Sequence, residues 1–295
     1  MTPPRARLAP VAITHPEKVL FPDDGITKGE VAAYYAAVAA VMLPHVRRRP
    51  VTMERFPSGI GAKGFLQKNV VKGFPEWLER AELPKKGGTV QYPLANDARS
   101  LQWMANQNTV TLHVWTSRMP EASQPDLCVF DLDPAEEDPG PLRTAALGLR
   151  DLLEARGLPA AVKTSGSKGF HIVVPLKRTP FGAVARFAAG IAAELIERLP
   201  DLVTLEFAKA DRGGRIFVDI GRNRPGATVA AAYTIRARPG APVSAPCTWE
   251  EIERRAVGPR TFTLRTMAAR LDAVGDLWQD LARRGVTLPE PPAVR

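Results

Sequence analysis

The sequence predicts an α+β fold, a single catalytic domain in which mostly antiparallel sheets are flanked by helices. Glycine-rich turns at 165–169 and 211–214 each separate two short strand-like segments, as in β-hairpins. Capping boxes, in which a threonine is followed three residues later by glutamate, begin helices at Thr27 and Thr248. Hairpins interspersed with helices are typical of the α+β class. A chain of 295 residues that is 45% hydrophobic has ample material for one large core.

The first half of the chain alternates between helix and strand patterns. The capping box at Thr27 starts a helix whose apolar residues continue to Pro44. Alternation predicts a strand with Thr111, His113 and Trp115 on one face. The predicted elements are, in order, a helix over 27–44, a strand over 50–56, helices over 75–83 and 96–106, and a strand over 110–115.

The second half is richer in short strands. A proline at 141 opens a helix that Gly157 closes, and Thr179 with Pro180 opens another. The predicted elements are strands over 128–133, 162–164, 170–174, 205–209, 215–219 and 228–236, helices over 141–156 and 179–199, and a helical C-terminal region beginning at the second capping box.

Composition favours a polyanionic partner. The net charge is +9 and the pI about 9.8, which suits nucleic acid or nucleotides, although a basic pI also occurs without such a partner. Two cysteines make no disulfide framework, and no Cys/His spacing resembles a zinc site. With no apolar run near 18 residues and no signal-peptide pattern, we expect an intracellular protein without a membrane partner. We expect flexible tails over 1–12 and 286–295 around one domain at 13–285.

Two carboxylates close the predicted strand at 128–133. Asp131 and Asp133 lie two residues apart and therefore share a strand face, opposite Cys128, Phe130 and Leu132. Carboxylates so placed can bridge two divalent cations about 3.5–4 Å apart, as in phosphoryl transfer. The alternative is an ordinary solvated strand end before Pro134.

Two further features strengthen the metal interpretation. Asp219 is a third carboxylate on a buried strand, and an Arg-Asn-Arg run follows it at 222–224. The turn from Ser165 to Gly169 offers hydroxyls, backbone N–H groups and the Lys168 ammonium to a triphosphate, although it lacks the Walker spacing. A carboxylate cluster beside cationic phosphate ligands is what nucleotidyl transfer requires.

Two places in the first third of the chain are candidates for DNA contact. Lys18 and Lys28 flank a helix N-terminus and could cradle a phosphate, although each alone could be a surface lysine. Phe65 follows a glycine-rich loop and lies near Lys68, an arrangement that grips single strands by stacking. The alternative for Phe65 is packing in the core.

These motifs together resemble a known family. Residues 129–134 (VFDLDP), 163–171 (KTSGSKGFH) and 217–223 (FVDIGRN) are similar to the three active-site motifs of the archaeo-eukaryotic primase superfamily. Residues 18–29 and 64–69 resemble the polymerase domain of bacterial ligase D, which acts in non-homologous end-joining. The resemblance covers residues 13–284.

The resemblance implies a template-directed nucleotidyltransferase that fills gaps and extends ends, prefers ribonucleotides and recognises 5′-phosphates. It implies two divalent metal ions, Mn²⁺ or Mg²⁺, and as partners NTP or dNTP, DNA with gaps or double-strand breaks, Ku and a DNA ligase, in the bacterial cytoplasm at the nucleoid. Residue by residue it implies Asp131, Asp133 and Asp219 as catalytic metal ligands; His113, Ser165, Lys168, His171, Arg222 and Arg236 as nucleotide contacts; and Lys18, Lys28, Phe65 and Arg212 as DNA contacts, Arg212 in a loop that brings two ends together.

One position departs from the family pattern. The family commonly has two adjacent phenylalanines after the glycine-rich loop. In this sequence the first is Phe65 and the second position is Leu66, which cannot stack with a π face. The sequence also carries no ligase nucleophile motif, so we expect an excised module or a polymerase working with a separate ligase. Three alternatives stay open: a stand-alone primase-polymerase in gap filling or priming, a non-catalytic end-synapsis module, and a metal-dependent nuclease, for which the turn at 165–169 would be unnecessary.

Overall fold

The computed structural model describes residues 11–136 and 138–289. Its strands are β1 (Val19–Phe21), β2 (Ile26–Thr27), β3 (Val51–Arg55), β4 (Phe65–Gln67), β5 (Arg80–Lys85), β6 (Gly88–Pro93), β7 (Thr109–Trp115), β8 (Leu127–Asp133), β9 (Ala161–Thr164), β10 (Phe170–Pro175), β11 (Val203–Thr204), β12 (Ile216–Asp219), β13 (Thr228–Ala230) and β14 (Pro246–Cys247). Its α-helices are α1 (Lys28–Ala37), α2 (Ala39–Val46), α3 (Ala98–Asn106), α4 (Pro139–Glu154), α5 (Phe181–Arg198), α6 (Trp249–Glu253) and α7 (Met267–Val274).

Two sheets form the centre of the fold. The larger has the order β11-β12-β8-β10-β9-β14 and the smaller the order β13-β7-β3-β4. Among the described strands, β11 and β12 form the one parallel pair, and every other pairing is antiparallel. The predicted α+β class with mostly antiparallel sheets is therefore confirmed.

The two faces of β8 have different surroundings. Cys128, Phe130 and Leu132 are fully buried, and helices α4 and α5 contact β8. Each helix contributes a row of buried aliphatic side chains at helical spacing, such as Leu142, Ala146 and Leu149 in α4. The opposite face of β8 carries the polar residues. On this face, Val129 of β8 lines a cavity together with Val114 of β7, which belongs to the smaller sheet.

Both predicted capping boxes are present. The Thr27 hydroxyl accepts from the Glu30 backbone N–H while the Glu30 carboxylate accepts from the Thr27 N–H, and Thr248 and Glu251 do the same. The first helix, however, is not continuous to Pro44. It bends by 77° between α1 and α2 and then passes Pro44 to end at Val46. The Tyr34 and Tyr35 hydroxyls donate to the Tyr233 and Val110 carbonyls and anchor α1 before the bend.

Two other segments predicted as regular elements are different in the structure. The prediction of a helix over 75–83 was wrong, because Ala81 and Leu83 are buried while their neighbours are exposed, and this period of two forms strand β5 paired with β6. The predicted strand over 228–236 ends at Ala230, and Tyr233 then adopts a positive φ of 67° that a strand cannot include.

The predicted hairpin over 205–219 was also wrong. Strand β12 pairs instead with β11 on one side and β8 on the other. The segment between β11 and β12 folds around the Arg212 guanidinium, which donates to the Glu206 and Phe207 carbonyls. These carbonyls are thereby used by a side chain rather than by a strand partner.

The tails predicted over 1–12 and 286–295 fall mainly on residues 1–10 and 290–295, which lie outside the described residues. Within the described part, the Val286 N–H donates to the Pro175 carbonyl and the Val286 carbonyl accepts from the Lys177 N–H. The first residue of the predicted C-terminal tail is therefore bonded to the end of β10. No single helix among 11–136 and 138–289 is long and apolar enough to cross a membrane, although the bent pair α1–α2 would pass by length and composition alone.

Candidate active site

A row of four polar side chains crosses the larger sheet. The register pairs Asp219 on β12 with Asp131 on β8, Asp131 with His171 on β10, and His171 with Lys163 on β9. Paired residues on neighbouring strands point to the same face, so all four lie on the side of the sheet away from α4 and α5. The sequence predicted a role for three of these residues; Lys163 lies in the motif at 163–171, but no role was predicted for it.

Arginines hold the three carboxylates. Arg222 lies between two of them, with Nη2 2.8 Å from Asp219 Oδ2 and Nε 3.4 Å from Asp131 Oδ2. Arg212 Nη1 lies 3.2 Å from Asp133 Oδ2, and its guanidinium packs over the Phe217 ring. Two arginines thus offset part of the clustered negative charge of the three carboxylates.

Asp131 has the most perturbed environment of the three. Burial raises the pKa of its carboxyl, and the nearby Asp219 and Asp133 add to the rise, while Arg222 opposes it. Burial is the main cause, because it removes water from the ionised carboxylate, and a cation placed beside it would favour the ionised form. The cleft is therefore able to accept additional cationic charge.

The turn between β9 and β10 is held by one hydroxyl. Ser165 Oγ accepts from the backbone N–H groups of Ser167 and Gly169, both at 3.0 Å, and the Gly166 N–H donates to the Pro259 carbonyl. The N–H groups of Gly166, Ser167 and Gly169 are therefore used inside the protein and are not available to a phosphate in this conformation. The side chains of the turn remain as the groups that can meet an anion.

Gly169 allows the turn between β9 and β10 to lie close to strand β8. A Cβ at this position would lie 1.6 Å from the Leu132 carbonyl oxygen, so no other residue fits without a backbone shift. This approach brings Ser165 and Lys168 beside the end of β8, where Asp133 lies.

A second close turn positions Asp219 and Arg222. The Gly221 N–H donates to Asp219 Oδ1 at 2.8 Å. The Asn223 side chain then binds both the N–H and the carbonyl of Val129, at 2.8 and 2.7 Å, and so joins the turn to β8. Asn223 is fully buried and fixes the turn against β8; it lies in the motif at 217–223, but the sequence predicted no role for it.

Arg236 and His113 approach from the smaller sheet and the segment after it. Arg236 Nη1 donates to the Ser165 carbonyl at 2.6 Å, while its buried Nε has no hydrogen-bond partner among the described residues. His113 Nε2 lies 3.2 Å from Glu54 Oε2, and burial lowers the pKa of His113. Glu54, another residue that the sequence analysis missed, therefore orients the His113 ring.

The predicted residues converge on a cleft of about 320 Å³. Its lining includes Asp131, Asp133, Asp219, Ser165, Lys168, His171, Arg222, Arg236 and Arg212. His113 is not in this lining. Arg212 is buried against the carboxylates rather than displayed on a hairpin tip, a location that differs from the expected one.

The donor set of the cleft fits a divalent metal in chemistry but not yet in arrangement. Three carboxylates on adjacent strands supply the oxygen ligands that such ions prefer. In the described part of the chain, however, no three Asp, Glu, His or Cys side chains are already grouped to hold an ion. Arg222 and Arg212 lie where a metal would compete for the same oxygens, so binding would require these arginines to turn away.

The other predicted DNA contacts, Lys18, Lys28 and Phe65, lie outside this cleft. The backbone of Lys28 bonds to the Lys18 carbonyl at 2.7 Å, which brings the two lysines together at the start of α1. The buried Lys28 ammonium donates to Thr14 Oγ1 at 3.0 Å, and burial, with the neighbouring Lys18, lowers the pKa of Lys28. A clustered pair of this kind favours an added anion.

Phe65 is not a core residue. It lies on the edge strand β4 with 47% of its surface exposed, and the following Leu66 is 65% exposed. Arg55 packs over the Phe65 ring with its guanidinium carbon 5.3 Å from the ring centroid. The core-packing alternative for Phe65 is therefore excluded, and the ring is available to a partner.

Comparisons with known proteins agree on one family. Residues 27–278 match the family model described as the LigD primase-polymerase domain. The chain is 38% identical over 271 residues to the multifunctional non-homologous end joining protein LigD of Mycolicibacterium smegmatis, covering 90% of this chain and 35% of that protein. It is 34% identical to the Pseudomonas aeruginosa protein of the same name, covering 94% and 34%.

A solved structure is similar over nearly its whole length. The polymerase domain from Mycobacterium tuberculosis ligase D, in complex with DNA, superposes with a TM-score of 0.87 at 35% identity, covering 92% of this chain and 98% of that one. The chain thus spans about a third of the length of the curated relatives it matches and almost all of this solved domain.

Proposed function

This chain belongs to the family of LigD primase-polymerase domains, as its motifs indicated, and from that premise we propose that it adds nucleotides to DNA at gaps and broken ends in bacterial non-homologous end-joining. The reaction is template-directed nucleotidyl transfer. The primer 3′-hydroxyl attacks the α-phosphate of the incoming nucleotide, and pyrophosphate leaves.

The pairing of Asp131 with Asp219 across β8 and β12 carries this proposal. Asp133 follows on the same face, and a cleft bordered by Arg222, Arg236 and Lys168 adjoins all three. Carboxylates next to cations divide the cleft into one part for metal and primer and another for polyphosphate.

The three carboxylates would hold two divalent ions, Mn²⁺ or Mg²⁺, once Arg222 and Arg212 release them. When bound, the ions lower the pKa of the attacking hydroxyl and neutralise charge on the phosphates. Asp219, already held by the Gly221 N–H, would also fix the position of the primer terminus.

The remaining polar groups suit the nucleotide. The unpartnered Nε of Arg236 and the guanidinium of Arg222 can donate to phosphate oxygens, and a released Arg222 gains a new partner there. The Ser165 oxygen accepts two backbone N–H groups, which leaves its own hydrogen to donate outward. We propose that His113 and Ser165 favour a ribose 2′-hydroxyl.

The surroundings of the cleft suit DNA. We propose that Lys18 and Lys28 receive the 5′-phosphate downstream of a gap, that Phe65 stacks on the template, and that Ku and a DNA ligase complete the repair in the bacterial cytoplasm. The absence of a second aromatic ring at Leu66 reduces the stacking surface.

The testing experiment extends a primer across a one-nucleotide gap with a 5′-phosphate, using Mn²⁺ and either ribonucleotides or deoxyribonucleotides. Templated addition with a higher kcat/KM for ribonucleotides supports the proposal. Addition that does not depend on the downstream 5′-phosphate would favour a stand-alone primase-polymerase, and tight end binding without addition would favour a synapsis module.

Metal binding needs its own measurement. Titration of Mn²⁺ by electron paramagnetic resonance should show bound ions in the wild-type protein and their loss in Asp131→Asn. Equal Mn²⁺ binding by both proteins would remove the carboxylates from the metal assignment.

A further inference from the structure

Lys163 is a buried lysine at the end of the polar row. It is 2% exposed and lies on β9, between His171 on β10 and the segment that contains Ser244. Its Nζ lies 2.8 Å from His171 Nδ1 and 2.5 Å from Ser244 Oγ. A lysine kept this far from water requires strong compensating contacts.

The hydrogen-bond directions around Lys163 can be assigned. Ser244 has one hydroxyl hydrogen, and it donates to the Thr164 carbonyl at 2.8 Å. At its contact with Lys163 the serine oxygen must therefore accept, and the lysine donates. When Lys163 is protonated, its ammonium has donors only, so His171 Nδ1 accepts as well.

The other end of the His171 ring leads to the same conclusion. Its Nε2 lies 3.4 Å from Asp131 Oδ1, and an ionised carboxylate can only accept. The ring therefore carries its hydrogen on Nε2 and a lone pair on Nδ1.

We propose that Lys163 is a positioning residue that holds His171 in the Nε2–H tautomer, so that the ring presents a donor to the acidic groups of the cleft. In the opposite tautomer, Nε2 would turn a lone pair toward Asp131 and toward any phosphate bound beside it. In a neutral imidazole only one ring nitrogen donates, so the tautomer decides which neighbouring groups the ring can serve.

The importance of this tautomer for nucleotide binding rests on the proposed function, whereas the tautomer itself does not. A ¹⁵N–¹H correlation spectrum of the ring nitrogens reports it directly when recorded on the whole chain without nucleotide, on the acid side of the Lys163 pKa of about 7, where the ammonium is present. The sequence has four histidines, so comparison with His171→Asn identifies the signals. We expect a protonated Nε2 and an unprotonated Nδ1 in the wild type; a protonated Nδ1 would overturn the inference without any substitution at Lys163.

Lys163→Met removes the donors while keeping the length of the chain. We expect the Nδ1–H tautomer to appear in this variant, and the KM for nucleotide to rise about tenfold with a smaller change in kcat. Ser244→Ala is the matched control: it removes the second anchor of Lys163 but leaves the ammonium beside Nδ1, so the wild-type tautomer should persist. An unchanged His171 spectrum in Lys163→Met would contradict the inference.

The two proposals can fail separately. If the wild type shows the Nε2–H tautomer yet adds no nucleotide, the proposed function fails and the role of Lys163 toward His171 stands. If the wild type adds nucleotides but Lys163→Met changes neither the tautomer nor the KM, the inference about Lys163 fails alone. A double variant with His171→Asn should show no further rise in KM, because both changes remove the same donor.

Discussion

Asp131 and Asp219 face each other directly across the antiparallel strands β8 and β12. This pairing places like charges side by side, an arrangement that destabilises a sheet unless another group compensates for it. Arg222 provides that compensation, with Nη2 2.8 Å from Asp219 Oδ2. The carboxylates are therefore arranged for a cationic ligand at some expense of stability.

Asp131→Asn should abolish nucleotide addition and leave DNA binding nearly unchanged, because the lysines that we propose to bind DNA lie outside the cleft. It should also stabilise the metal-free protein at pH 7. The folded-state pKa of Asp131 is raised, so ionisation of this carboxyl opposes folding. The stability that protonated Asp131 contributes is fully present below the pKa of the unfolded state and is lost as the pH rises through the pKa of the folded state. Urea unfolding at pH 7 and pH 4 measures this, with the exposed Asp201→Asn as control. Retained activity would exclude Asp131 from catalysis.

Replacing both Lys18 and Lys28 with alanine should remove the preference for a 5′-phosphate. A terminal phosphate carries more charge than an internal one, and two adjacent ammonium groups can detect the difference. Affinities for gapped DNA with and without the phosphate should become equal in the variant. The exposed Lys85 and Lys86, changed together to alanine, should keep the wild-type ratio. A double Lys18/Lys28 variant that still discriminates would place the phosphate pocket elsewhere.

Phe65→Ala should weaken single-strand binding by about 1–3 kcal/mol, the usual contribution of one stacked base. Because 47% of the Phe65 surface is exposed, replacing this residue should leave the melting temperature of the protein nearly unchanged. Fluorescence anisotropy at fixed salt measures the affinity. Leu66→Ala should have a smaller effect, and Val71→Ala, at a similarly exposed apolar position, should have none. Equal losses in all three variants would argue against a specific stack.

Gly169→Ala should destabilise the protein by several kcal/mol, since the added Cβ would overlap the Leu132 carbonyl and force a backbone shift. Gly182, exposed in α5, provides the control, because a Cβ added there would come no closer than 3.6 Å to the Arg186 side chain. Gly182→Ala should stabilise by about 0.5–1 kcal/mol through helix propensity. Urea denaturation of both variants tests the contrast, and similar stabilities would show that the turn moves freely.

Lys163 should leave a signature in the pH dependence of stability. Burial lowers its pKa to about 7, with Arg236 contributing, against an ordinary value near 10.5. Between these values the unfolded chain binds one more proton than the folded one, so stability rises with pH by up to about 1.4 kcal/mol per unit. Lys163→Met lacks this rise, and its stability relative to the wild type should fall from pH 7 to pH 9 in urea titrations. Other titrating groups are common to both proteins and cancel; a constant difference would refute the lowered pKa.

Local patterns in the sequence determined much of the catalytic strand and its neighbours. Alternation on β8 separated the buried Phe130 face from the Asp131 face, and the capping box at Thr27 set the start of α1. These predictions succeeded because strand alternation and helix capping depend on residues within one or two turns of each other. The motifs also identified the family, and with it the residues that line the cleft.

Tertiary structure decided what lies beside each of these residues. The segment at 205–215 has a composition that predicts a hairpin. In the structure Arg212 instead contacts Asp133 and two nearby carbonyls, and the segment is not a hairpin. In the sequence, Lys163 is one polar residue in a short strand, and it became part of the site because β9 pairs with β10 in one register. Strand order and register depend on contacts between distant segments, and the local pattern of a strand does not specify which side chain its neighbour will place alongside.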